Sequence, residues 1–277
     1  MTLRESLKWL VPYEQGAWGL MLVPFFIGAL IGQGNPIGLF SLLASALGVF
    51  LLRQPVIRWC RSFHRDPIDT LGTPWPTQAT LFCIALFLAG AILLLIQGLW
   101  WLVPIFALAA GIIFSRVFLS AFHQQFKLIS KIVETLVLSL LAPSAYYVAT
   151  GRWDTTAFQL WLICSIYFSV VMADLRLRIA RYRFTKELLG EEEVHKRRHD
   201  VYLTILFAGL LYLGAWAFRL VPLQSIVCLV PLPLRYWRDP IPNPSDPLAI
   251  RRIGWQEITF AALFAVIVVL VFRGGMK

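Results

Sequence analysis

Long apolar runs, separated by short polar stretches, recur along the whole of this chain. A helix crosses the hydrocarbon layer of a bilayer with roughly 20 mostly apolar residues. Nine runs fit that requirement: 16–33, 37–57, 79–97, 100–119, 132–150, 156–175, 201–219, 221–237 and 256–272. The pattern predicts an all-α, polytopic membrane protein of about nine transmembrane helices, organised as a single transmembrane domain over 1–277. The eighth run carries Pro222, Pro231 and Pro233. Prolines remove backbone donors and bend or break a span, which is tolerated only where protein packs around the freed groups.

Composition agrees: the chain is 58% hydrophobic and 14% charged, against about 45–50% and about 25% for soluble domains. The net charge of +10 invites a nucleic-acid reading, but its distribution excludes one. With nine spans and a cytoplasmic N-terminus, only Arg152, Arg219, Arg273 and Lys277 fall on the far side, leaving 21 of the 25 lysines and arginines in the cytoplasm. That is the positive-inside bias, and shifting the count by one span would scramble it. The C-terminus is then expected on the side opposite the N-terminus. Far-side connections such as Gly34-Asn35-Pro36 are short, whereas cytoplasmic caps over about 58–77 and 176–200 are long.

Cys60, Cys83, Cys164 and Cys228 are scattered, mostly in apolar runs, and read as small hydrophobes. Arg4, Glu5 and Lys8 precede a full-length apolar run without an A-x-A site. That run is expected to be retained as the first helix and not cleaved as a signal. Trp100, Trp101, Trp153, Trp237 and Trp255 sit at span ends, where an interfacial aromatic belt places them.

Candidate chemistry gathers at the cytoplasmic span ends. The sixth run carries Asp174 near its close, then Arg176, Arg178, Arg181 and Arg183. An acid at the hydrocarbon boundary is costly and is a functional hypothesis by default. Asp174 and Arg178, at i,i+4, read equally as an intrahelical ion pair. After the second run, Arg58, Arg61 and Arg65 share one helix face if the helix continues. Aligned guanidiniums suit a phosphate or carboxylate, and they also suit anionic lipid head groups. Glu14 and Glu134 stand at the mouths of the first and fifth spans, and Glu14 also suits a helix N-terminus, beside a small-residue face of Gly16, Ala17 and Gly19. Glu192 and His195 make one E-x-x-H where a di-iron bundle needs two, and His195 and His199 lack a third nearby ligand for zinc, so no metal site is expected.

Glu14-Gln15-Gly16-Ala17-Trp18 resembles the E-H-G-A-W opening of the YwiC-like family of bacterial membrane proteins, with Gln15 in place of the histidine. Gln15 keeps hydrogen bonding and loses any proton shuttling. The span layout, with Glu134 to Gly151 and Asp174-Leu175-Arg176, resembles the UbiA-type intramembrane prenyltransferases. That resemblance implies a nine-helix, UbiA-like bundle with cytoplasmic cap loops. Its two aspartate-rich motifs, which hold Mg²⁺-diphosphate, are missing: QPVIRWCRSFHRD and ADLRLRIARYR stand in their places. Magnesium needs several hard oxygen ligands.

Three functions follow. The first is a metal-free binder, without a cofactor, that holds an amphipathic, anionic, isoprenoid or lipid-like ligand among Arg58, Arg61, Arg65, Asp174, Arg178, Glu134 and Glu14, or an accessory factor docking a membrane-protein partner. The second is a divergent prenyltransferase-like enzyme using Asp174, Glu134 and Asp66 with Mg²⁺. The third is a small-molecule transporter, which the scarcity of mid-membrane charge disfavours.

Overall fold

The computed structural model describes residues 15–62, 77–122, 127–185, 190–237 and 249–274. These residues are helical almost throughout. Helices α1 (Gln15–Gly32), α2 (Pro36–Ser62), α3 (Thr77–Ile96) and α4 (Leu102–Phe122) account for the first four predicted spans. Then come α5 (Lys127–Ser139), α6 (Leu141–Thr150), α7 (Thr155–Thr185) and α8 (Glu191–Ala217). A 3-10 segment (Leu223–Leu229), α9 (Pro231–Trp237) and α10 (Ala249–Gly274) complete the chain. The apolar part of each coincides with one of the nine predicted runs, and among the described residues four helical stretches, Ile132–Thr150, Thr155–Tyr182, Glu191–Ala217 and Ile253–Gly274, are long and apolar enough to cross a membrane.

Two predicted spans are broken. The run 132–150 is two helices, because Pro143 in the first turn of α6 withholds a backbone donor; the Leu140 N–H turns back to Val137 O at 3.1 Å. The run 221–237 is the 3-10 segment followed by the single short turn sequence of α9. Pro222 precedes the first piece, and Pro231 and Pro233 sit in the opening turn of the second, where a missing N–H costs least.

Helix α7 is the hub. Within its apolar window 78% is buried, against 22% for α8 and 28% for α10. It packs on α5, α6 and α8, and the 3-10 segment closes against it and against α10. Cys164, Tyr167, Val171, Cys228, Ala261, Phe264 and Val268 form the core around it. Outward faces stay apolar, as at Leu206 (61% exposed), Phe207 (67%) and Ile92 (54%). Apolar patches of that extent fit contact with lipid and not with water.

Close approach of α1 to α6 depends on Gly28 and Gly32. A Cβ on Gly28 would run into the Ala142 carbonyl, and one on Gly32 into the Ala149 side chain. This i,i+4 pair is the small-residue packing face of α1. Of the face expected at Gly16, Ala17 and Gly19, a Cβ on Gly19 meets nothing within 4 Å, and the surroundings of the other two lie outside the described residues.

The threading is fixed by contacts at one end of the bundle. Asn35 Nδ2 donates to Gln97 Oε1 at 2.7 Å, tying the α1–α2 turn to the α3–α4 turn. Gln159 Nε2 donates to Leu220 O at 2.9 Å, bringing the start of α7 to the end of α8. Arg273 Nε donates to Leu30 O at 3.1 Å, so α10 finishes at the end where α1 finishes. The first helix therefore begins, and the last one ends, at opposite ends of the bundle.

Candidate functional site

Asp174 and Arg178 lie one turn apart on α7, and Arg178 Nε donates to Asp174 Oδ2 at 2.5 Å. Asp174 has a second cation. Arg235, in the last turn of α9, brings Nη2 to 3.0 Å from the same carboxylate oxygen. The same nitrogen also donates to Glu257 Oε1 on α10. Three elements thus meet at one buried quartet whose formal charges cancel. Arg235 is 1% exposed, Asp174 4% and Glu257 8%.

Burying an ion costs several kcal/mol, offset only by good pairing and satisfied hydrogen bonds. The acids are compensated here, but Arg235 is not fully used. Its Nε and Nη1 are both buried and have no acceptor among the described residues.

Above the charged layer lies an aromatic one. Tyr167 stacks on Phe264 with ring centroids 3.8 Å apart and planes 4° apart. Tyr167 precedes Asp174 by seven residues on α7, and Phe264 follows Glu257 by seven on α10. Two helical turns, about 10 Å, separate the layers along each helix. Because α7 and α10 run in opposite directions, the same spacing brings both pairs into register.

A smaller polar group lies where α7 meets α8. Arg197 grips Glu193 Oε1 through Nε at 2.9 Å and Nη2 at 2.7 Å, while Arg176 Nη1 is buried without an acceptor.

The predicted site residues divide. Asp174 and Arg178 are joined as the i,i+4 spacing implied. Glu134 is half-buried on α5 and engaged within the fold. Glu14, Arg65 and Asp66 lie outside the described residues, as do the side chains of Arg58 and Arg61, although α2 does remain helical through both. Helix α2 packs chiefly on α3, with α4 and α6 beside it, whereas α7 packs on α8, α5 and α6. Sequence reasoning missed Arg235 and Glu257. Arg235 had counted only as a topological cation. Glu257 is a lone acid at the start of the last apolar run, the same signal that singled out Asp174.

No three His, Cys, Asp or Glu side chains come together as a metal group among the described residues. Magnesium does not fit the quartet on chemical grounds either: both carboxylates already face guanidinium nitrogen, and a divalent cation would sit against Arg178 and Arg235.

The model of the family described as YwiC-like protein matches residues 11–146. This stretch, just under half of the chain, is similar to the YwiC-like family. No curated protein and no solved structure matches the chain. The matched stretch includes α1 to α4, α5 and the start of α6, with Gly28, Gly32 and Glu134. Asp174, Arg178, Arg235 and Glu257 all lie beyond it, so the buried quartet belongs to the part of the chain outside the match.

Proposed function

We propose that this protein binds an amphipathic, lipid-like molecule, isoprenoid or acyl, with its polar head at Arg235. The observation that carries this reading is the unspent hydrogen-bonding capacity of Arg235. A guanidinium placed solely to clamp two helices together gains most by directing separate nitrogens at separate acids. Here one nitrogen serves both acids, and two others, fully buried, have no acceptor among the described residues. Buried donors of that kind cost roughly 1–3 kcal/mol each when unmatched, and a ligand oxygen relieves that cost. The prenyltransferase-like alternative needs free carboxylates for magnesium, and Asp174 and Glu257 are not free. On the positive-inside argument the quartet faces the cytoplasmic half of the bilayer, with the C-terminus outside.

The test is lipid extraction and mass spectrometry of detergent-purified protein, wild type beside Arg235→Lys. A lipid-soluble species enriched over the bulk phospholipid of the host membrane, and depleted in the variant, supports the reading. Bulk phospholipid alone in both samples overturns it and leaves the accessory role as the better account.

A further inference from the structure

The lipid-facing wall of the site says what kind of head group it takes. The broken eighth span carries Arg235, on the short helix α9. Its outer face is apolar and exposed: Leu223 57%, Ile226 51%, Val227 47%, Val230 42% and Leu234 42%. Its inner face, Val221, Ser225, Cys228 and Arg235, is buried. Being 3-10 and then a short helix, the segment lacks the continuous ladder of hydrogen bonds that stiffens α7. Exposed Val230 and Leu234 thus share one short segment with buried Arg235.

The quartet itself adds a second constraint. Asp174 and Glu257 are both held by Arg235, and Arg178 compensates Asp174 again, so the group is formally neutral before any ligand arrives. A neutral carbonyl oxygen or one carboxylate satisfies Nε–H or Nη1–H while adding at most one buried charge. A diphosphate would bring several negative charges beside two carboxylates, with no spare cation in the quartet to meet them. Buried charge without a partner is what a low-dielectric site disfavours most.

Resting on the lipid-like reading above, we infer that the ligand's head is a carbonyl-type oxygen acceptor bearing at most one negative charge, delivered from the bilayer, and that the site discriminates against diphosphates. The experiment is native mass spectrometry of the purified full chain in detergent, titrated in parallel with decylubiquinone, farnesoic acid and farnesyl diphosphate. Decylubiquinone or farnesoic acid, or both, bind at least tenfold tighter than farnesyl diphosphate, and Arg235→Lys removes most of that binding; which of the two is preferred separates carbonyl from carboxylate. Glu257→Gln leaves the quartet with a net positive charge and narrows the disadvantage of farnesyl diphosphate relative to farnesoic acid at least threefold. Farnesyl diphosphate binding as tightly as the other two, in an Arg235-dependent way, overturns this inference and leaves the lipid site standing. An unmoved ratio in Glu257→Gln likewise overturns the charge argument alone. No binding of any probe, with only bulk phospholipid copurifying, overturns the site and the inference together.

Discussion

Arg235 Nη2 lies 3.0 Å from Asp174 Oδ2, and through this contact the short helix α9 is anchored to the central helix α7. The same nitrogen reaches Glu257, so one guanidinium closes three elements into a charged layer beneath the Tyr167–Phe264 stack. Removing one partner of a buried pair costs about 3–5 kcal/mol, because the other is left uncompensated. Arg235→Met is therefore expected to lower thermal stability in detergent strongly. Arg235→Met combined with Glu257→Gln should recover part of the loss, since Asp174 retains Arg178. An Arg235→Met variant that melts with the wild type would show that the contact carries no stability.

Asp174 and Arg178 are not equivalent members of their pair. Asp174 faces two arginines, and its loss unbalances both. Arg178 is more exposed, at 11% of its side chain, and a lysine there preserves the charge. Asp174→Asn should destabilise by about 3 kcal/mol or more, and Arg178→Lys, which keeps the cation, by less. Chemical denaturation of both variants, with an equal or reversed order, would contradict the shared-acid geometry.

Chelation separates the metal-free reading from the transferase one. Both acids of the quartet already face guanidinium, so EDTA should change neither thermal stability nor the retention of a copurified lipid. A loss of either, restored by magnesium and not by sodium, would return the carboxylates to a metal-binding role.

Helices α1 and α6 touch through Gly28 and Gly32. Gly28→Leu forces the backbones apart, and overpacking of this kind costs about 1–3 kcal/mol or more. Gly19→Ala, where the added Cβ meets nothing within 4 Å, should be tolerated, as should Gly19→Leu by comparison with Gly28→Leu. Size-exclusion profiles of the two leucine variants should differ, with aggregation confined to Gly28→Leu; matching profiles would remove the close approach from the packing argument.

The orientation of the bundle is open to a direct test. Alkaline phosphatase, active only outside the cytoplasm, should be active when fused after Lys277 and inactive when fused after residue 126. The positive-inside distribution of the 25 cations requires that order, and the reverse pattern would invert the site in the membrane.

Much of the architecture was readable residue by residue. The nine apolar runs correspond to nine apolar helical segments, because crossing a bilayer demands a minimum hydrophobic length and leaves its mark in one stretch of chain. The Asp174–Arg178 pair was readable for a related reason: i,i+4 neighbours meet on any α-helix, whatever surrounds it. Breaks within the fifth and eighth runs were half-readable. Proline marks where a helix loses a donor, as at Pro143, Pro222, Pro231 and Pro233, but the form taken by the freed backbone depends on what packs around it. At 223–229 it became a 3-10 segment against α10 and α7.

The chain's own pattern therefore determined that this is an all-helical membrane protein, where its spans lie, and which charges pair within a turn. Only the tertiary structure decided that Arg235 and Glu257 converge on Asp174, that Tyr167 lies flat on Phe264, and that α1 meets α6 through Gly28 and Gly32. Span length and helical spacing are local properties, written into consecutive residues. Which side chains meet between helices depends on the rotation, tilt and depth of each rod against its neighbours, and no periodicity along one helix records them.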